Sequence, residues 1–211
     1  MRLQLADDLL SVRVDGPRDA QALADHLRST GAWLEVVPGI DSVVVRFDAA
    51  EAEAHSAIAQ LEAALSREIP PLIDSAELVE IPVVYGGDYG PDLPAMCDAI
   101  GLSQEEFIAL HTGREYAVDM VGFTPGFVFV GGLDERLSVP RRKEPRQRVE
   151  AGSIGIADGR TGMYALASPG GWTLVGRTSF KLFDADAQNP FPVRAGMRIR
   201  FVRASAGEFE S

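Results

Sequence analysis

Residues 122–133 read GFTPGFVFVGGL, residues 139–149 read VPRRKEPRQRV, and residues 151–178 read AGSIGIADGRTGMYALASPGGWTLVGRT. Glycine and proline return every few positions between short apolar pairs. That spacing breaks helices and suits strands joined by tight turns. Strands are expected at 153–157, 163–166, 172–175 and 198–202. Many short strands with regular turn signals predict a barrel or sandwich for this half of the chain.

The first third has a different rhythm. Residues 9–14 alternate apolar and polar side chains, as in a half-buried strand. Pro17 can sit in the first turn of a helix whose Ala20, Leu23, Ala24 and Leu27 share one face, and Gly31 can end it. Strands follow at 33–37 and 42–47, around Pro38, Gly39 and Asp41. A second amphipathic helix is expected over 49–65, burying Ile58, Leu61 and Leu65. This β-α-β-β-α order lacks one strand of the split βαβ unit. Residues 78–85 are placed either to supply that strand or to open the next domain. Ile69-Pro70-Pro71 breaks the second helix and marks a linker. Two short helices come next. One spans 92–100 and stops at Gly101, and the other starts at Ser103, with Glu106 completing a capping box. The expected organisation is a domain over 1–77, a β-rich domain over 78–205 and a frayed tail over 206–211.

Of the 211 residues, 46% are apolar, enough for true cores. The net charge is −11, and residues 1–75, with 6 basic and 13 acidic side chains, carry −7 of it. Such a surface repels a polyanion, so nucleic acid is not an expected partner. One cysteine, Cys97, excludes an internal disulfide and suits a reducing compartment. No apolar run is long enough for a bilayer, and Met1-Arg2-Leu3 leads into no signal-peptide core. The expectation is a cytoplasmic protein with no membrane partner. The sequence holds no phosphate loop of the G-x-x-x-x-G-K-[ST] kind and no H-E-x-x-H, and its three scattered histidines do not suggest a metal site.

Three features have site chemistry. His111-Thr112 offers a proton-exchanging ring beside a hydroxyl; it also reads as an ordinary helix end favoured by the dipole. The loop of Gly122, Phe123, Pro125 and Gly126 allows close approach to backbone, or is simply a barrel corner with core phenylalanines. Arg136, Arg141, Arg142, Lys143, Arg146 and Arg148 cluster within thirteen positions. Guanidinium forks pair with carboxylate or phosphate. On a strand, Arg142, Arg146 and Arg148 would share one face. The alternative is a solvated rim, or a surface that pairs with the acidic first domain.

Taken in order, the motifs HT, GFTPGF, GGLD, PRR-EPR-RV, AGSIGIA, TGMY, SPGGW, GRT and AGMRIRFV resemble those of the allophanate hydrolase subunit 1 family, which includes 5-oxoprolinase B subunits and the kinase inhibitor KipI. The resemblance covers most of the chain and is strongest over 111–202. It implies an α+β fold: a small ferredoxin-like α/β domain followed by a cyclophilin-like β-barrel. It further implies a component of an ATP-dependent 5-oxoprolinase that opens the cyclic amide of 5-oxo-L-proline to L-glutamate. The implied partners are a subunit 2 (KipA-like) protein and a LamB/YcsF-type subunit, with ATP bound by the complex. Their chemistry, one proton-exchanging ring, one hydroxyl and two cations beside the exposed amides of the Gly122–Gly126 loop, marks His111, Thr112, Arg142 and Arg146 as catalytic candidates expected to meet in one cleft of the second domain. Gly122, Phe123, Pro125, Gly126, Arg148 and Arg160 would contact the amide substrate. The other family activities are inhibition of a sensor histidine kinase and a part in allophanate or urea-carboxylase-like complexes. This chain departs from the family pattern at Phe129, where a tyrosine is expected, and at Arg160, where the family has a neutral amide.

Overall fold

The structure is a computed structural model describing residues 3–71 and 77–209. The expected linker beyond Ile69-Pro70-Pro71 continues into 72–76. Those residues, with Met1, Arg2, Glu210 and Ser211, lie outside the described residues. The chain forms two compact units, Met1–Asp74 and Ser75–Ser211.

The first unit has the element order β1 (Leu3–Ala6), β2 (Leu9–Arg13), α1 (Pro17–Ser29), β3 (Glu35–Pro38), β4 (Ser42–Arg46) and α2 (Ala54–Leu65). Its antiparallel sheet runs β1-β2-β4-β3. Leu10 and Val12 of β2 and Val43 and Val45 of β4 alternate into a core shared with Ala20, Leu23, Ala24 and Leu27 of α1 and Leu61 of α2. The strand that the β-α-β-β-α order lacks is therefore β1. It reaches its edge position through a tight hairpin with Asp7 at φ 50°, and 78–85 has no part in this sheet. The second helix starts later than expected, at Ala54, because residues 48–53 form turns.

The second unit opens with β5 (Leu78–Tyr85), followed by α3 (Leu93–Ile100), α4 (Gln104–Thr112), β6 (Tyr116–Val121) and β7 (Val128–Gly131). A 3-10 turn at Glu135–Leu137 leads on to β8 (Arg146–Val149), β9 (Ser153–Ala157), β10 (Arg160–Met163), β11 (Ser168–Gly170), β12 (Thr173–Arg177) and β13 (Arg198–Arg203). Seven strands close a barrel in the order β10-β7-β6-β13-β5-β12-β9. The β5–β13 pair is parallel, and the other neighbours in the ring are antiparallel. Ile81, Val83, Val128, Val130, Ile154, Ile156, Val175, Ile199 and Phe201 belong to its core. Helix α3 stops at Gly101, which adopts the left-handed conformation, and Ser103 and Glu106 form both bonds of the capping box on α4. The tail does not fray over 206–209. It forms a short helix, α5 (Ala206–Phe209), whose Phe209 ring packs 4.8 Å from Tyr89.

Alternation along β7 sends Val128 and Val130 to the barrel core, so Phe127 and Phe129 face the other way. They join Val149, Ala157, Tyr164, Trp172 and Leu174 in a second, smaller cluster. The ribbon of β8 and β11 contributes Val149 to it. Glycine makes room for the indole: a Cβ on Gly155 or Gly162 would lie 2.7 Å from Trp172.

Candidate functional site

The 122–127 loop lies at one margin of this outer aromatic cluster. Its Gly122 N–H donates to the Phe127 carbonyl, and the Phe127 N–H donates to that of Thr124, both at 3.0 Å. The Gly122 amide is thus spent within the loop and does not face a ligand. Gly126 has φ 76° and a buried backbone, where a Cβ would meet Phe183 and Ala165. Phe123 also has φ 76°, a conformation costly for a bulky residue. Its ring is 70% exposed and edge-on to Phe127, whereas Phe127 is core. Pro125 is exposed at the loop tip.

The basic stretch borders the same cluster. Arg141 bonds Asp158 at 2.8 Å and places its guanidinium 5.7 Å from the Trp172 ring. The Arg142 N–H donates to the Gly171 carbonyl at 2.8 Å. Residues 141–145 are not strand; β8 begins only at Arg146, so the common strand face expected for the arginines does not form. Arg142 and Arg146 nonetheless converge, on a residue that the sequence marks only as a helix start. Asp92 Oδ1 accepts from Arg146 Nη2 at 2.7 Å and from Arg142 Nη1 at 3.4 Å, while Oδ2 accepts from the Leu174 N–H at 2.7 Å. Asp92 and Arg142 also line a cleft of about 290 Å³ with Met96, Val139 and Pro140. Tyr164 connects the two margins. Its ring meets Phe127 at 4.9 Å, and its hydroxyl is pushed up in pKa by burial, with the Trp172 backbone N–H and the charges of Arg141 and Arg146 opposing.

Other expected residues lie elsewhere. His111 is completely buried, not in a cleft. It stacks on Phe107 and Phe201, at 5.7 and 4.3 Å between ring centres. Nδ1 lies 2.7 Å from Tyr85 Oη and Nε2 lies 3.0 Å from Thr161 Oγ1, whose hydroxyl reaches the Gly155 carbonyl. One proton order satisfies this chain: Tyr85 O–H donates to Nδ1, Nε2–H donates to Thr161, and Thr161 donates to Gly155. Burial pushes the imidazole down to about 3, so it is neutral. Thr112 donates to the Ile108 carbonyl of its own helix at 2.8 Å. Arg148 points outward and pairs with Glu150 at 2.6 Å. Arg160 begins β10, the strand that leads at its other end to Tyr164, and it pairs with Asp119 at 3.4 Å. Burial raises the Asp119 carboxyl, partly offset by that arginine. The structure therefore brings the Phe123 loop, Arg142 and Arg146 to one aromatic cluster. It leaves His111, Thr112, Arg148 and Arg160 outside that grouping. Asp92 carries no local signal as a site residue, because its partners lie 50 and 54 residues away.

Among the described residues, no group of three or more histidine, cysteine or carboxylate side chains could hold a metal ion. No described helix is long and apolar enough to cross a membrane.

Residues 4–193 match the family model for the carboxyltransferase domain, subdomain C and D. The chain belongs to this family. Its relatives include the B subunit of 5-oxoprolinase from Escherichia coli O157:H7, 42% identical over 185 residues, covering 88% of this chain and 84% of the relative. The B subunit of 5-oxoprolinase from Bacillus subtilis (strain 168) is 36% identical over a 226-residue alignment, covering 99% and 94%. A crystal structure of TTHA0988 superposes with a TM-score of 0.80 at 33% identity over 94% of this chain, which spans only 40% of that longer one. The carboxyltransferase family and these relatives support the resemblance carried by the motifs, and the barrel with its α/β companion is the expected α+β fold.

Proposed function

We propose that this chain is the B subunit of a cytoplasmic, ATP-dependent 5-oxoprolinase that opens 5-oxo-L-proline to L-glutamate with a subunit 2 (KipA-like) and a LamB/YcsF-type partner. The observation that carries the reading is the 42% identity, over 88% of the chain, to a protein named as the B subunit of 5-oxoprolinase. The geometry supports it in outline. Arg142 and Arg146 offer two cations to the carboxylate of the substrate. The exposed Phe123 on a strained loop gives a face for the ring or for a partner chain. His111 and Thr112 keep no direct role, because their polar atoms are spent inside the fold.

ATP fits this chain poorly. No glycine-rich phosphate loop occurs in the sequence. In this reading nucleotide chemistry belongs to the assembled complex, and no step of it is placed on this chain. The relatives favour neither kinase inhibition nor a urea-carboxylase-like role. The test is turnover of 5-oxoproline with ATP by the co-expressed subunits, each omitted in turn. Glutamate release that persists without this chain would refute the proposal.

A further inference from the structure

Asp92 divides its carboxylate unevenly. Oδ1 accepts from Arg146 at 2.7 Å and Oδ2 from the Leu174 N–H at 2.7 Å, whereas the contact to Arg142 is 3.4 Å long. The Asp92 and Arg146 side chains are only 15% and 24% exposed, so their pair is a partly desolvated strut. Arg142 is held differently. Its backbone N–H is fixed to the Gly171 carbonyl at 2.8 Å, while its side chain is 41% exposed and lines the cleft of about 290 Å³. Beyond the long contact to Asp92, its guanidinium N–H groups have no partner among the described residues. Two guanidinium groups against one carboxylate leave this end of the cleft with a surplus positive charge, and the side chain that solvent can reach carries it.

The rest of the cleft is small and apolar. Ala95, Met96 and Ala99 follow Asp92 along one face of α3 and form a wall with Val139 and Pro140. Ala95 and Ala99 are exposed, so the space beside them is open. Thr173, the first residue of β12, also lines the cleft, and its hydroxyl has no hydrogen-bond partner among the described residues. A volume of about 290 Å³ is at the lower end for ligand pockets. Short apolar walls, one cation and one hydroxyl suit a compact ring that bears a single carboxylate and one further polar group.

We infer that the cleft between α3 and residues 139–142 is where the small cyclic amide binds: its carboxylate pairs with Arg142, its ring lies against Ala95 and Ala99, and its amide meets the Thr173 hydroxyl. This rests on the 5-oxoprolinase reading and deepens it, because it makes the two alanines the residues that set the size of the substrate. Ala99→Leu is the informative change, since leucine suits a helix and fills the space that the ring would take. In the assembled complex it should raise KM for 5-oxoproline about tenfold or more, with kcat held within about threefold and the melting temperature unchanged. Arg142→Gln should do the same through the lost charge. Ala109→Leu, at an exposed position on α4, is the control and should alter neither constant. An unchanged KM in Ala99→Leu and Arg142→Gln, with the wild type turning over, would overturn the inference and leave the functional reading standing. The second measurement is methyl NMR of the complex with alanine and methionine labelled in this chain. Adding 5-oxoproline should shift the methyl signals of Ala95, Met96 and Ala99, and Arg142→Gln should abolish those shifts. Shifts confined to other methyl groups, or none, would overturn the inference as well. If the wild-type complex releases no glutamate, the functional reading fails by itself, and the methyl shifts still decide whether the cleft takes the ring.

Discussion

Replacing His111 by glutamine should flatten the acid sensitivity of the barrel unit. The imidazole titrates near 6.5 when unfolded and is held at about 3 by burial in the fold. On acidification the unfolded chain therefore takes up the proton first. The stability associated with His111 is complete above about pH 6.5 and falls as pH drops from there toward 3. Integrating the linkage relation from neutral pH to about pH 5 gives a loss of about 2 kcal/mol, rising to roughly 5 kcal/mol below pH 3. Glutamine keeps an acceptor for Tyr85 and a donor for Thr161 but does not titrate. The assay is urea unfolding at about pH 7.5 and pH 5, in a Trp33→Phe background so that the barrel's Trp172 reports alone. Carboxylate contributions are common to both proteins and cancel in the difference. The variant should start less stable, having lost the ring stacking, yet lose about 2 kcal/mol less than its parent on acidification. Equal losses would refute the claim that a buried neutral histidine sets this sensitivity.

Gly126→Ala should cost about 2–3 kcal/mol and lower the melting temperature, because φ is 76° and the new Cβ would sit 2.7 Å from Phe183 Cβ and 2.8 Å from Ala165 Cβ. Ser103→Ala removes one half of the capping box on α4 and should cost about 1 kcal/mol in equilibrium unfolding. Arg146→Lys keeps the charge but not the fork, so steady-state kinetics of the complex should show KM for 5-oxoproline raised about tenfold. An unchanged KM would remove Arg146 from the site.

Local chemistry is readable wherever it decides the structure. Pro17, Gly31, Gly101 and the Ser103–Glu106 pair set helix ends through bonds within a few residues, and those helices lie close to where the sequence puts them. The strand 153–157 appears as expected because its small and apolar residues are buried on both faces. The strand expected at 163–166 instead spans Arg160–Met163. Its register is fixed by Gly155 and Gly162 beneath Trp172, a packing demand made by a residue ten positions further on. The four-residue β1 carries too little pattern to stand out, which leaves its place open to 78–85. His111 looks like a site residue because histidine usually is polar surface or chemistry. Only Tyr85 and Thr161, brought from 26 and 50 residues away, turn it into core. The arginine cluster is visible as composition, but the loop at 141–145 and the carboxylate of Asp92 decide where the guanidinium groups point.

The parallel pairing of β5 with β13 has a consequence for how the protein is made. Leu78–Tyr85 is the first strand of its unit to leave the ribosome and Arg198–Arg203 is the last, and each lies between its partner and another barrel strand. Until the final strand emerges, the opening one has an unsatisfied edge and the ring stays broken. The first unit has no such dependence, since all its strands are translated before residue 47. Synthesis should therefore present a finished acidic module next to an open barrel whose sticky edge lasts for more than a hundred codons. A chaperone, or an already folded partner protein, would have its chance to engage the nascent chain in that interval.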